Sequence, residues 1–128
     1  MDKHDFNYLS GQVLDACIEV HKAFGPGLLE SVYQSALMVE LALREIEAVQ
    51  KVAVPLFYKG YDTGKYYEID ILVEGEIILE LKAVEAIIPL YEAQIISYLK
   101  LTDKRLGLLI NFNVPLLKNG FKRYVNNF

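Results

Sequence analysis

Residues 66–83 read YYEIDILVEGEIILELKA, and this stretch decides the fold class. Two runs rich in Ile, Leu and Val, Tyr66–Val73 and Glu76–Ala83, meet around Glu74 and Gly75, which predicts a β-hairpin. Both arms are almost continuously apolar. We therefore expect two central strands that are buried on both faces.

Charged residues interrupt these arms where a buried strand should carry none. Asp70 lies in the first arm, and Glu80 and Lys82 lie in the second. A buried carboxylate is costly unless it is paired or binds a metal ion, and two adjacent carboxylates repel each other. Mg²⁺ prefers oxygen ligands, and a lysine beside it would attract a phosphoryl group. Alternatively, Lys82 only forms salt bridges to Glu80 and Asp70 at the strand ends.

The geometry of the turn decides whether the two carboxylates share a face. A strict two-residue turn separates them, whereas a three-residue loop with a left-handed Gly75 and a bulge brings them to one side. We expect the bulged turn, with Asp70 opposite Ile78 and Glu80 diagonally beside it. The arms would then direct Ile69, Ile71 and Val73 to the opposite, apolar face.

The rest of the chain is organised around this hairpin. Apolar spacing predicts helices over about 6–24, 28–46 and 90–101, and strands over about 49–58, 106–111 and 121–125, with a turn over 59–64. The order is ααβββαβ(β), and the strand, helix, strand succession over 76–111 implies a right-handed parallel crossover. The first two helices should pair antiparallel, and the second has one apolar row: Leu29, Val32, Ala36, Val39 and Leu43.

Helical side chains supply further candidates for the site. Gln94 and Tyr98 are spaced i, i+4 and share one face of the third predicted helix, which packs against its own strands. Glu30 and Tyr33 lie early in the second helix, where an acidic residue also interacts favourably with the helix dipole. For Tyr33, Gln94 and Tyr98 the alternative is simple packing or capping.

Composition limits the classes of protein. The 128 residues are 53% hydrophobic with a net charge of −4, which fits one domain over 1–128 with a hydrophobic core. The longest uncharged stretch, residues 106–117, is too short to span a membrane. The start of the chain shows no apolar export signal, so we expect a cytoplasmic protein. A single cysteine, Cys17, excludes an intrachain disulfide and a cysteine-cluster zinc site.

The charge is unevenly distributed. Residues 1–98 carry a net charge of −9 and residues 99–128 one of +5. Nucleic acid binding draws on Lys and Arg, so the basic segment is a candidate for phosphate contacts through Lys118, Lys122 and Arg123. A solvated basic surface is the simpler alternative.

These motifs together resemble a known superfamily. Asp70, the hairpin turn, ELK at 80–82 and QIISY at 94–98 resemble the PD-(D/E)XK nucleases, particularly the exonuclease-type branch with a Gln-x-x-x-Tyr helix. GLLESVY at 27–33, ELKAVE at 80–85 and GLLINF at 107–112 are similar to a small bacterial family named for its GxxExxY motif. The resemblance implies an α/β fold, with an αβββαβ core, a mixed sheet and an extra N-terminal helix.

The resemblance also implies a metal centre. Asp70 and Glu80 would bind Mg²⁺ or Mn²⁺ together with the backbone carbonyl of Leu81. Lys82 would orient or help to deprotonate the attacking water and stabilise the transition state. Glu30 would be an additional metal ligand or would support the other ligands.

Two helix residues complete the implied site, and two positions depart from the pattern. Gln94 would position substrate or water, and Tyr98 would stack or hydrogen-bond nearby. Glu68 and Ile69 precede Asp70 where the superfamily often has a proline, and Tyr91 stands where the smaller family commonly has histidine.

The implied function is metal-dependent hydrolysis of phosphodiester bonds in nucleic acid; we expect DNA rather than RNA as the partner, and no membrane. The alternative is a catalytically silent module that binds nucleic acid or protein and retains the nuclease fold. A third interpretation, an accessory subunit of a larger DNA-processing or defence assembly, would suit a chain of this size, and a homo-oligomer is the other assembly considered.

Overall fold

Three α-helices and five β-strands follow the predicted order. The computed structural model describes all 128 residues. The helices are α1 (Lys3–Phe24), α2 (Glu30–Leu43) and α3 (Pro89–Thr102), and a short 3-10 helix (Leu117–Gly120) precedes the last strand. The strands are β1 (Ala48–Tyr58), β2 (Tyr61–Val73), β3 (Ile77–Lys82), β4 (Leu106–Asn111) and β5 (Phe121–Val125).

Capping residues and a proline determine where α1 and α3 begin and end. Asp2 and Asp5 form a reciprocal capping box at the start of α1, and Gly25 with φ 65° follows its end. Pro89 begins α3, where its missing N–H costs nothing. Asp103 ends α3 in the left-handed conformation.

The strands form one mixed sheet in the order β1-β2-β3-β4-β5. Only β3 and β4 are parallel, and α3 connects them; the other neighbours are antiparallel. Every residue of β4 is buried, as are the first five of β3. The predicted α/β class with a mixed sheet is confirmed.

Helices cover both faces of this sheet, and each face has its own core. On one face α1 and α2 pack against apolar residues that include Ile71, Leu79 and Leu108. On the other face Ile95 and Leu99 of α3 pack against β-strand residues of a smaller cluster. β3 and β4 are therefore buried from both sides, as their continuous apolar sequences predict.

The hairpin between β2 and β3 has the predicted loop length with a different register. Val73 pairs with Ile77 and Ile71 with Leu79, so three residues form the loop. Glu74 as well as Gly75 has a positive φ, 52° and 67°. The expected pairing of Asp70 with Ile78 is wrong by two residues, because Ile78 pairs with Leu72. A two-residue shift preserves the face of every side chain, so the expectation that the turn brings Asp70 and Glu80 to one side is unaffected.

Side-chain alternation along β2 breaks beside Asp70. Ile71 belongs to the core under α1 and α2, whereas Ile69 packs in the α3 core with Val52. The expectation that Ile69, Ile71 and Val73 share a face is therefore wrong for Ile69. The break coincides with Lys51, opposite in β1, whose φ is +55°. A left-handed residue in a strand interrupts regular pairing, so side chains on the two sides of the interruption can point to opposite faces from those that strict alternation would give.

β2 begins five residues earlier than predicted and is not buried along its whole length. The turn consists of Lys59 and Gly60, both with positive φ, and Tyr58 pairs with Tyr61 across it. All residues from 61 to 68 are exposed. The glycine-rich composition of 59–64 led to the longer predicted turn, but Gly64 lies inside the strand.

α2 buries a different face from the predicted one. Its buried residues are Tyr33, Gln34, Leu37 and Leu41. In the predicted apolar row only Ala36 is half-buried, and the other four members are exposed: Leu29, Val32, Val39 and Leu43. The helix has apolar residues on two sides, so periodicity alone could not select the side that meets the sheet.

Two expectations from composition can be compared with the structure. Cys17 is free and fully buried, and this burial raises the pKa of its thiol, so the residue packs as a small apolar side chain. None of the helices combines the length and the apolar character that crossing a bilayer requires.

Candidate active site

Asp70 lies where β2 and β3 separate. Its carboxylate Oδ2 accepts a hydrogen bond of 2.8 Å from the backbone N–H of Leu81. The regular hydrogen-bonded ladder between β2 and β3 extends only to the Ile71–Leu79 pair, next to Asp70. The side-chain amide of Gln34 in α2 donates to the backbone carbonyl of Asp70 at 3.2 Å. Asp70 is thereby positioned from both the neighbouring strand and the helix layer.

Glu80 is the most deeply buried acidic side chain, with 7% of its surface exposed. Its Oε1 atom is buried and has no hydrogen-bond partner. Burial first, and the negative charge of Asp70 second, raise the pKa of the Glu80 carboxyl to about 9. A carboxylate in this position requires either a proton or a cation to compensate its charge.

Glu30 is close enough to Asp70 and Lys82 for their charges to interact. It is the first residue of α2 and is half-buried. Burial and then the charge of Asp70 raise the pKa of its carboxyl, and the charge of Lys82 lowers it. Asp70 therefore interacts electrostatically with both Glu80 at the end of β3 and Glu30 at the start of α2.

Tyr33 holds the loop that precedes Glu30. Its hydroxyl donates to the carbonyl of Gly25 at 2.5 Å and accepts from the N–H of Leu28 at 3.1 Å. Its buried ring stacks on Phe112, with centroids 4.6 Å apart and planes 8° from parallel. Tyr33 has the packing and capping role that we considered as the alternative, and it fixes where α2 begins.

Lys82 forms no ion pair in this arrangement. The chain's two salt bridges within 4.0 Å are Arg44–Glu40 and Lys122–Glu92. The Nζ atom of Lys82 instead lies 4.5 Å from the ring centroid of Tyr91 in α3. The alternative of simple salt bridges from Lys82 to Asp70 and Glu80 is therefore wrong. Its charge is available near the carboxylates and lowers the pKa of Glu80.

α3 brings its two candidates to the same edge. Tyr98 is almost completely buried, and burial, followed by the charges of Glu80 and Asp70, raises the pKa of its hydroxyl to about 12. Gln94 is half-buried and lines a cavity of about 230 Å³ with Tyr98 and Tyr67. The i, i+4 spacing thus places both side chains beside the carboxylates or on the cavity next to them.

Comparison with known families agrees with this geometry. A sequence model described as the PD-(D/E)XK nuclease superfamily matches residues 7–124. The chain belongs to the PD-(D/E)XK nuclease superfamily. No curated protein and no solved structure matched the chain. Asp70, Glu80 and Lys82 match the acidic residue and the (D/E)-x-K of the superfamily's name, and Ile69 stands where the name has proline.

Sequence reasoning missed two residues that shape this PD-(D/E)XK site. The buried amide of Asn111 in β4 donates to the carbonyl of Val84 at 2.9 Å and accepts from its N–H at 3.1 Å, which holds the chain just after Lys82. Tyr67 of β2 packs against Tyr98 with ring centroids 4.9 Å apart. A polar residue that ends a fully buried strand was the available signal for Asn111, and nothing local marked Tyr67.

The basic residues of the last segment lie on separate surfaces. Lys122 is in the same cross-strand row as Leu109 and Glu80, and it pairs with Glu92 at 3.5 Å. Arg123 lies beside the ring of Phe128. Lys118 lines a cavity of about 450 Å³ between α1 and the loops that follow α1 and β4. They do not form one continuous patch.

The donor set can be tested against a divalent cation. No group of three or more His, Cys, Asp or Glu side chains gathers into a metal-binding cluster. Mg²⁺ needs only one or two protein carboxylates, because waters and substrate phosphate complete its shell. Asp70 and Glu80 would be these two carboxylates, and the buried Oε1 of Glu80 has no hydrogen-bond partner. The residues of this PD-(D/E)XK site therefore fit a hard divalent cation.

Proposed function

We propose that this chain is a Mg²⁺- or Mn²⁺-dependent nuclease that hydrolyses phosphodiester bonds. Superfamily membership supports a nuclease, and the buried, unpartnered Oε1 atom of Glu80 beside Asp70 is the observation that supports the metal. Asp70, Glu80 and the carbonyl of Leu81 would hold the cation. When bound, the cation would activate water and neutralise charge on the phosphate.

Three further side chains have roles that their positions support. Lys82 carries a positive charge that is not bound in a salt bridge, so it is free to stabilise a phosphate oxygen or orient the attacking water. Glu30 adds negative charge next to Asp70, which favours retention of a divalent cation. Gln94 faces the neighbouring cavity and would orient substrate or water there.

Other side chains would contact the substrate outside the metal site, and two of them lie on the face of the sheet that α3 covers. Tyr98 would contact the substrate beside the carboxylates. Lys122 lies two strands from Glu80 in one row, which places their Cα atoms about 10 Å apart and within reach of a neighbouring phosphate. Lys118 and Arg123 lie on other surfaces and would contact only more distant parts of a long substrate.

The finer assignments are also proposals. Tyr33 hydrogen-bonds the backbone of Gly25 and Leu28, in the loop just before Glu30, which gives a physical reason for a GxxExxY motif and supports membership of that bacterial family. A DNA substrate, a cytoplasmic setting, and a homo-oligomer or larger DNA-processing assembly remain predictions from the sequence.

The test is cleavage of labelled single- and double-stranded DNA and RNA with Mg²⁺, with Mn²⁺ and with EDTA. Glu80→Gln keeps the shape of the side chain and should abolish cleavage, and Lys82→Met should reduce it at least a hundredfold. The controls are Glu19→Gln on α1 and Lys100→Met on α3, both at exposed positions. No cleavage by the native chain, or equal cleavage by E80Q, would contradict the proposal. Metal-independent binding without cleavage would indicate the catalytically silent module instead.

A further inference from the structure

The hairpin of β1 and β2 extends beyond the rest of the sheet. β2 pairs with β3 only through Ile71, Leu72 and Val73, so its earlier residues pair with β1 alone. We call residues 55–67 the ribbon. β3 runs antiparallel to β2 and ends at Lys82, so the ribbon projects from the same edge of the sheet that carries Asp70 and Glu80.

The ribbon exposes aromatic side chains that it cannot bury. Tyr58 and Tyr61 face each other across the tight turn with 66% and 79% of their surfaces exposed. Phe57 and Tyr66 are also exposed. Single exposed tyrosines are common, but a concentration of aromatic rings on a two-stranded arm marks a binding surface.

Charge identifies the chemistry of the partner. The ribbon contains Lys59 and Lys65 and only one acidic residue, Asp62, although residues 1–98 as a whole are strongly acidic. The Nζ atom of Lys59 lies 5.4 Å from the ring centroid of Tyr58, so a cation and an aromatic face are presented together. Aromatic faces interleaved with lysines are suited to the stacked bases and phosphates of a single strand.

The ribbon is continuous with the candidate active site. Tyr67, at the base of the ribbon, packs against Tyr98. The negative charges of Glu80 and Asp70 contribute to the raised pKa of the Tyr98 hydroxyl, so Tyr98 lies near both carboxylates. A strand lying along the ribbon would therefore arrive directly at the carboxylates. Bases in a duplex are already stacked on each other and present only their edges, so exposed aromatic faces favour an unpaired strand.

We propose that the ribbon binds single-stranded nucleic acid, with bases stacked on Tyr58 and Tyr61 and phosphates near Lys59 and Lys65. This inference deepens the proposed nuclease function and rests on it for the direction of the strand toward the carboxylates. It makes the substrate class a single strand or the unpaired end of a duplex.

The test measures binding separately from cleavage. Fluorescence anisotropy with a labelled 20-nucleotide oligo-dT, its oligo-rU counterpart and a duplex of equal length is recorded on the Glu80→Gln background without divalent metal. Adding Tyr58→Ser with Tyr61→Ser should weaken single-strand binding at least about tenfold, since stacking on each base contributes roughly this factor or more. Tyr8→Ser on α1 is the matched control, because Tyr8 is equally exposed at 67%.

Salt dependence and self-association distinguish the remaining outcomes. Lys59→Ser with Lys65→Ser should flatten the dependence of affinity on salt concentration. Unchanged oligonucleotide binding by the tyrosine variant, with an unchanged melting temperature, would overturn the inference. Tighter binding of duplex than of single strand would also overturn it. So would a native dimer in sedimentation that the tyrosine variant no longer forms, if that variant still binds the oligonucleotide as tightly.

A separate assay distinguishes failure of the proposed nuclease function. Hydrolysis of bis(p-nitrophenyl) phosphate with Mn²⁺ needs the metal site and is too small to require the ribbon. Hydrolysis without ribbon-dependent binding would refute this inference alone. Ribbon-dependent binding without hydrolysis, by a chain that also cuts no oligonucleotide, would refute the nuclease function alone.

Discussion

The carboxylate of Asp70 accepts a hydrogen bond from the backbone N–H of Leu81 at 2.8 Å, at the point where the ladder between β2 and β3 ends. A side chain here replaces the carbonyl that a regular strand would supply. The same contact sets Asp70 beside Glu80, so a structural hydrogen bond and the spacing of the two acidic residues depend on one side chain.

Asp70→Ala should therefore lower stability more than Asp70→Asn. Alanine leaves the Leu81 N–H without its acceptor, which costs about 1–3 kcal/mol, whereas asparagine retains an acceptor oxygen and removes the charge that opposes Glu80. Urea denaturation in EDTA measures both free energies of unfolding. Equal losses in the two variants would show that the hydrogen bond does not stabilise the fold.

The buried Glu80 predicts that stability falls as the pH rises. Its pKa is raised, first by burial and then by Asp70, from 4.5 to about 9 in the folded chain. Between these values the folded state binds a proton that the unfolded state has lost, so the free energy of unfolding decreases with pH by at most about 1.4 kcal/mol per unit. Below about 4.5 this contribution is constant.

Glu80→Gln removes this titration and supplies the control. In EDTA the variant should be more stable than the native chain at pH 8, and the difference should shrink toward pH 5. Thermal melts over this range measure the effect. A difference independent of pH would mean that Glu80 is already ionised and compensated in the folded state.

Divalent cations should raise the melting temperature. A ligand that binds only the folded state at a hundredfold excess over its Kd adds about 2.7 kcal/mol, a shift on the order of 10 °C for a chain of this size. Asp70→Asn and Glu80→Gln should each remove most of the shift, and Glu19→Gln should retain it. A rise of equal size in all variants would place the cation elsewhere.

Gly120 allows β5 to approach the end of β4. A Cβ atom at this position would clash with the backbone oxygen of Asn111, so Gly120→Ala should cost at least about 2 kcal/mol through overpacking. Gly11→Ala in α1 meets no atom within 4 Å and should stabilise the chain by about 0.5–1 kcal/mol, because alanine is the better helix former. Similar effects of the two substitutions in urea denaturation would contradict this packing.

Much of the architecture could be predicted because it depends on local chemistry. β4 and β5 begin and end at the predicted residues, since turn residues and buried apolar runs bound them sharply. Asp70 and Glu80 come to one edge because the loop at 74–76 has three residues, which the turn residues Glu74 and Gly75 predicted. The register depends on the whole strand pair, and there the prediction was wrong by two residues.

Other features depend on contacts between distant residues. The inward face of α2 depends on which of two apolar sides fits the sheet, and Tyr33 rather than Val32 fills the space beside Phe112. Ile69 changes face at the point where Lys51, in the neighbouring strand, is left-handed. The contact between Tyr67 and Tyr98 joins residues that are 31 positions apart.

The sequence by itself determined the secondary structure and the charged residues that a buried hairpin would otherwise exclude, because periodicity and turn chemistry act over a few neighbouring residues. Only the tertiary structure decided that Glu80 Oε1 lacks a partner, that Lys82 lies over Tyr91 rather than in a salt bridge, and that Tyr67 at the base of the ribbon packs against Tyr98. Burial, electrostatic shifts and aromatic contacts arise from the packing of separate elements, which no local pattern specifies.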